Sequence, residues 1–418
     1  MRLRFLASIN PATPEFDALD DDASLPFVPL EAVWPSGLDS SRRKSRVEVS
    51  TGYTRFREGD IVVPKITPTF QADRTAVATG IEGGVAAGTT ELHIVRVGRR
   101  VDSRYVRYLF SSRPFLQGGE ASMIGVAGQK RVPDDWLRDT DVPITDVAHQ
   151  RAIADYLDAE TARIDALVAK KRRLVEVLEE RSWLAFESAL RRRGIDVPST
   201  LEHDEIARTI VAPGWRVLKL SSLLRQLTNG YVGPTRDILQ DDGVRYIQGL
   251  HVKGDVVDFD RHPFFVDEAW HRARPRTSLL TGDIVIVQTG DIGKVAVIPP
   301  GFGEANCHAL LIARVNTDLV SSEYLGAFLQ SHFGYHSLLR VATGALHPHL
   351  EFGIRDVPVL LAPVEDQSEI AAEVSNERSR SGQAQRAIRR QITLLQEHRQ
   401  ALITAAVTGE LAVPGVVG

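Results

Sequence analysis

The chain contains a partial copy of itself at a shift of 217 residues, and few architectures accommodate the duplication of a segment this long and this helical. Residues 149–193 hold neither Pro nor Gly until Gly194 and are rich in Ala, Leu, Glu, Lys and Arg, all good helix formers. Residues 365–408 read the same way, interrupted only by Gly382. Laid on one another without a gap, the two segments share nine identities across residues 150–181. These pair Gln150 with Gln367, Ile153 with Ile370, Ala154 with Ala371, Glu160 with Glu377 and Arg163 with Arg380. Arg172 and Arg173 pair with Arg389 and Arg390, Leu178 with Leu395, and Glu180 with Glu397.

The likeness continues upstream at similar offsets. Gly59-Asp60-Ile61-Val62-Val63 answers Gly282-Asp283-Ile284-Val285-Ile286, and Val101-Asp102-Ser103-Arg104-Tyr105 answers Val320-Ser321-Ser322-Glu323-Tyr324. Asp141-Val142-Pro143-Ile144 and Asp356-Val357-Pro358-Val359 each close a globular stretch before a helix. A Gly-Asp turn leading into a short apolar run predicts a buried strand. Leu92–Val97 and Leu310–Val315 predict further strands, with short amphipathic helices from Tyr105 and Tyr324. The plan is an α+β chain of two pseudo-repeated α/β domains with largely β cores. Its parts are a first domain at 1–148, a long helix at 149–193, a linker at 194–214, a second domain at 215–364, a second long helix at 365–408 and a tail at 409–418.

A helix of about 45 residues is roughly 65 Å long at 1.5 Å per residue, more than one domain core needs. Leu157, Ile164, Leu167, Leu174 and Leu178 on the first helix, and Val374, Ile388, Leu395 and Leu402 on the second, recur near heptad spacing. They predict an antiparallel coiled coil that separates the domains, with Lys171 and Ser381 as breaks in its seam.

Nothing approaches 18 consecutive apolar residues, so no membrane span is expected. The single Cys307 excludes an intramolecular disulfide and points to the cytoplasm. Fifty basic residues face 54 acidic ones, and each domain and helix is close to neutral. A DNA-binding chain of this composition must gather its cations on one face or borrow them from a partner.

Catalytic machinery is not evident. Gln288-Thr289-Gly290-Asp291-Ile292-Gly293-Lys294-Val295 lacks the leading Gly and the trailing Ser or Thr of a phosphate-binding loop. No Asn or Asp precedes a Pro-Pro-aromatic segment, as an amino-methyltransferase pocket requires. Cys307 and His308, adjacent on a strand, point to opposite faces and cannot act together. His347 and His349 have no obvious third metal ligand.

In this setting the sequence resembles the specificity subunits of type I restriction-modification systems. The resemblance covers nearly the whole chain. It rests on the order of two domains and two duplicated helices, on Gly59-Asp60-Ile61-Val62-Val63-Pro64-Lys65-Ile66-Thr67-Pro68 and on Ala127-Gly128-Gln129-Lys130-Arg131-Val132. It rests also on the helix entry Gln150-Arg151-Ala152-Ile153-Ala154-Asp155-Tyr156-Leu157-Asp158 and on the ending from Arg399 to Leu411. Gly382 with its Ser and Asn neighbours, and His347-Pro348-His349, depart from the family pattern.

The resemblance implies two target recognition domains, each reading half of a split double-stranded DNA target, with the helices setting the gap. It implies two methyltransferase subunits that bring S-adenosylmethionine, two motor-nuclease (restriction) subunits that use ATP and Mg²⁺, and no cofactor or catalytic residue on this chain. Candidate DNA contacts at turns and strand ends are Lys65, Thr67, Gln71, Gln129, Lys130 and Arg131 in the first domain. In the second they are Gln288, Thr289, Lys294, His347 and His349. Arg and Lys suit guanine, and Gln suits adenine. The competing reading is a coiled-coil scaffold, or a DNA-binding regulator that acts without enzymes.

Overall fold

The computed structural model describes residues 1–126, 128–195, 213–254, 256–344 and 348–414. Most of the expected linker at 194–214 and His347 lie outside the described residues. The chain divides into two compact units, Met1–Arg172 with Arg389–Gly418, and Arg173–Ile388. Each unit therefore combines one globular domain with parts of both helical segments.

In the first unit a four-stranded antiparallel sheet runs in the order Ala7–Ile9, Leu92–Val97, Ile61–Pro64, Ala76–Val77. A second sheet orders Arg43–Ser45, Ser24–Val28, Val85–Gly88 and Thr54–Arg57, with the middle two strands parallel. Helices Ser103–Phe110 and Arg113–Ser122 follow. The second unit repeats this scheme. Its antiparallel sheet runs Leu224–Asn229, Leu310–Val315, Ile284–Val287, Val295–Val297, and its other sheet has five strands around the parallel pair Val244–Ile247 and Ala305–Cys307. Helices Ser322–Leu329 and His332–Arg340 follow.

The repeated Gly-Asp signature has a structural reason. Gly59 and Gly282 take the left-handed conformation (φ 86° and 83°) that turns the chain into its strand. The buried carboxylate that follows accepts a backbone N–H three residues back, from Arg57 at 2.9 Å or Leu280 at 2.8 Å. It also takes a two-pronged arginine from the neighbouring strand: Asp60 holds Arg96 at 2.8 and 2.8 Å, and Asp283 holds Arg314 at 2.8 and 2.8 Å. The pairing satisfies a charge that would otherwise be costly to bury.

The identity of Gln150 and Gln367 is explained in the same way. Both side chains are buried where a helix leaves its domain. Gln150 Oε1 accepts the Asp102 N–H at 2.9 Å, and its Nε2 donates to Thr145 O at 2.9 Å and Arg100 O at 3.3 Å. Gln367 accepts from Ser321 N at 2.9 Å and donates to Ala362 O and Leu319 O, both at 3.0 Å. Each amide thus ties the start of a long helix to the cap of the preceding short one.

The first long helix spans Val147–Trp183 rather than running to Arg193. Leu184 leaves helical geometry (ψ 13°), and the chain resumes as Ala185–Arg192. The break lets Phe186, Ala189 and Leu190 enter the core of the second unit, where Phe186 meets Tyr324 and Phe328 edge-on at 5.6 Å. The last helix, Val364–Thr408, is continuous through Gly382.

Within the first unit Asp165 faces Arg399 at 3.1 Å and Lys171 donates to Gln391 at 2.6 Å. Within the second, Arg181 bonds Glu377 at 2.9 Å and Arg192 bonds Glu373 at 2.8 Å. Numbers rise along one helical segment as they fall along the other, so in each unit the segments run antiparallel. The inward positions are Leu157, Thr161, Ile164, Val168, Lys171, Val175 and Leu178, alternating steps of four and three. Leu167 and Leu174, expected in this seam, are 43% and 48% exposed. They lie one residue off the stripe, and Val168 and Val175 take their place. Leu157 and Val374 join the cores of their own units, while Ile388, Leu395 and Leu402 are half-buried on the inward face. Lys171 is accommodated by its bond to Gln391, and the buried Ser381 hydroxyl by Glu377 at 3.2 Å. In the tail, Val413 is buried in the core of the first unit.

Candidate nucleic-acid interface

In each unit the strand that begins with Gly-Asp ends beside a loop that follows the second short helix. In the first unit the strand ends at Pro64, just before Lys65, and residues 124 and 131 bond reciprocally as the neck of a loop. Ile124 N donates to Arg131 O at 3.0 Å, and Arg131 N to Ile124 O at 2.9 Å. The loop is tied to the strand end by Thr67 N to Lys130 O at 3.0 Å and Val132 N to Lys65 O at 2.8 Å. In the second unit the strand ends at Val287, just before Gln288, and Thr343 and His349 bond reciprocally at 2.9 and 2.8 Å. Leu350 N donates to Gln288 O at 2.9 Å, the counterpart of the Val132–Lys65 tie.

The structure therefore brings Lys65, Thr67, Gln129, Lys130 and Arg131 together at one corner, and Gln288 and His349 at the equivalent corner. Thr289 and Lys294 belong to the adjoining turn, where Val287 N bonds Lys294 O at 2.9 Å. Gln129, Lys130 and Thr289 are exposed.

Five expected contacts are otherwise engaged. Arg131 grips Glu91 with two nitrogens at 2.8 and 2.7 Å, and that bond holds the Glu91 carboxyl below its ordinary range and pushes the guanidinium up. Gln288 is buried and donates to Leu350 O at 3.0 Å, so it shapes the loop instead of facing a ligand. Gln71 donates to Glu120 at 2.5 Å. Lys294 pairs with Asp291 at 2.5 Å, which keeps that carboxyl low. His349 faces Glu351 at 2.8 Å. In the first unit the role of Gln288 falls to His93, whose Nε2 lies 2.9 Å from Val132 O. Burial pushes this imidazole's pKa down, against the opposing influence of the Val132 carbonyl and Asp134.

The run Arg42-Arg43-Lys44-Ser45-Arg46 is the densest cationic stretch of the first domain. Arg42 pairs with Glu31 at 3.0 Å, Arg43 with Glu82 at 2.6 Å and Arg46 with Asp21, while Lys44 lies over Phe27 at 5.1 Å. Neighbouring carboxylates thus engage much of the cationic charge, consistent with the near-neutral count. Cys307 is fully buried and its thiol is pushed far up by that burial, which removes it as a nucleophile. Among the described residues no group of three or more His, Cys, Asp or Glu side chains could hold a metal ion. No described helix is long and apolar enough to cross a membrane.

Two α+β units, each with a small antiparallel sheet and both helical segments in its core, define a duplicated two-domain, paired-helix protein. Solved structures share this fold. The chain superposes on one from a study of complex assembly and conformational transition in the type I R-M system, with a TM-score of 0.74 at 17% identity over 98% of this chain and 97% of the other. It superposes on the HsdS subunit from Thermoanaerobacter tengcongensis with a TM-score of 0.56, again at 17% identity, over 98% and 96%. In sequence it is 32% identical over 186 residues to the EcoEI type I restriction enzyme specificity subunit of Escherichia coli. That match covers 44% of this chain and 30% of the relative. The EcoAI specificity subunit, also of Escherichia coli, is 36% identical over 152 residues, 35% of this chain and 25% of the relative. The matches thus span about a third or less of each relative's length. No family model matches the chain. In sequence the chain is thus similar to parts of type I restriction enzyme specificity subunits, and its fold is that of the two solved structures.

Proposed function

We propose that this chain is the non-catalytic, DNA-reading subunit of a type I restriction-modification complex in the cytoplasm. Each unit reads one half of a two-part double-stranded target. The paired helices set the gap and receive two methyltransferase subunits, which carry S-adenosylmethionine, and two motor-nuclease subunits that use ATP and Mg²⁺ join them for cleavage. The observation that carries the reading is the repeated corner, where a strand end and a tethered loop present exposed polar side chains twice in one chain. Gln129 and Lys130 offer hydrogen-bond donors suited to base edges and phosphates, and Thr289 offers a hydroxyl. His349 serves at the second corner. Because so many arginines are paired within the fold, the partners supply a large part of the phosphate clamp.

The test is to express the chain with its methyltransferase partner and sequence the DNA for methylated adenine. A motif of two defined halves with an indifferent gap, absent without this chain, supports the reading. Exchanging residues 1–148 for a relative's first domain then changes one half only. A stable assembly that marks no motif favours the scaffold reading instead.

A further inference from the structure

We propose that Ile124 and Val126 form an apolar contact for the 5-methyl group of a thymine in the half-target read by the first unit. The inference rests on the functional reading above and assigns a chemical preference within it.

Ile124 and Val126 are 71% and 74% exposed, far more than the β-branched residues of the surrounding sheets. A single exposed apolar residue is ordinary, but these two stand one residue apart at the tip of a held loop. The neck is closed by the reciprocal Ile124–Arg131 bonds, and Gln129 N donates to Val126 O at 3.0 Å across the turn. Arg131 is anchored by the two-pronged grip on Glu91. Gly125 has φ 134°, and a Cβ there would stand 2.9 Å from Gln129 O and 3.2 Å from Lys130 Cα. Only glycine lets the two limbs approach this closely. The two limbs are therefore braced at their neck, and the described residues of the unit leave both apolar side chains largely uncovered.

The surroundings favour DNA as the occupant. Gln129 and Lys130 are exposed beside the apolar pair, with Lys65 at the adjoining strand end. The nearby carboxylate, Glu91, is already held by Arg131. Donors and cations around a small apolar tip match a major-groove edge, where the thymine methyl lies beside the O4 acceptor and close to phosphates.

The experiment uses the assembled complex with its methyltransferase partner and synthetic duplexes carrying the methylated motif. Each thymine of the half assigned to the first unit is replaced in turn by uracil, which deletes only the methyl group. The expected result is one position at which uracil slows methylation about four-fold, the worth of one buried methyl. The double variant Ile124→Ser, Val126→Ser should lose that factor on thymine and become indifferent to uracil at the same position. Its half-target should accept other bases there, while the second half and the gap stay unchanged. A wild-type complex indifferent to uracil throughout this half overturns the proposal, and so does a variant that keeps the preference. Failure of the variant to assemble while its thermal unfolding is unchanged would make the tip a protein-docking surface, which also overturns it. If no motif depends on this chain, the functional reading falls and takes this inference with it.

Discussion

In the first unit the carbonyl at the base of the corner loop, Val132 O, is held by an imidazole, His93. In the second, the equivalent Leu350 O is held by an amide, Gln288. The loops beyond differ as well, a glycine-braced loop with Ile124 and Val126 in one and Thr343, His349 and their neighbours in the other. Behind the loops the units share an aspartate gripping an arginine, a buried glutamine latching a helix, and a four-stranded antiparallel sheet of the same order. Duplication has kept what builds the frame and released what faces outward. That is the expected outcome if the frame must fold identically twice while each corner meets different DNA.

The comparison breaks most readily at the buried ion pairs. Asp60→Ala and Asp283→Ala each strand an arginine and open a turn, and each should cost about 3 kcal/mol in chemical or thermal unfolding. Losses that differ greatly between the two would mean that the frames are not equivalent. Next come the latches. Gln150→Ala and Gln367→Ala each remove three hydrogen bonds and leave buried backbone groups unpaired, for an expected loss of about 2 kcal/mol apiece. A cost from Gln150→Ala alone would show that the second helix is held by packing instead.

The helix seam predicts smaller and contrasting effects. Val168→Ala should destabilise by about 1–2 kcal/mol, whereas Leu167→Ser, one position away, should stay within about 0.5 kcal/mol. Equal effects would restore the seam expected from leucine spacing. The smallest effect concerns pH. The folded pKa of His93 lies below its ordinary value of 6.5, so the unfolded chain takes up protons first as the pH falls. The stability this group contributes is present above about pH 6.5 and is lost as the pH drops through and below that value. His93→Gln, which copies the amide of the second unit, should flatten the change in unfolding temperature between pH 7.5 and 5.5. An unchanged acid response would place the titrating group elsewhere.

Much of the frame was legible in the amino-acid sequence because its causes are local or repeated. Gly-Asp before an apolar run announced a turn and strand, and the strands Leu92–Val97 and Leu310–Val315 fall where alternation and β-branching put them. The helices announced themselves by propensity and by the 217-residue echo. The corners were legible only as neighbourhoods. Lys65 and Lys130 lie 65 residues apart in sequence, and which side chains at such a corner face outward depends on contacts that no local pattern encodes. Arg131 and Gln288 looked like readers because their chemistry suits bases, yet each found a partner within the fold.

The sequence by itself determined the duplication, the two helices and two strands of each domain, since periodicity, turn chemistry and helix propensity act over a few residues. Tertiary structure alone decided that the first helix breaks at Leu184 to send Phe186 into a core. It also decided that Val168 and Val175 fill the seam in place of Leu167 and Leu174, and that Ile124 and Val126 stay uncovered. Each of these is settled by which surfaces meet, because burial rewards the arrangement that removes most apolar area from water while leaving every buried polar group with a partner.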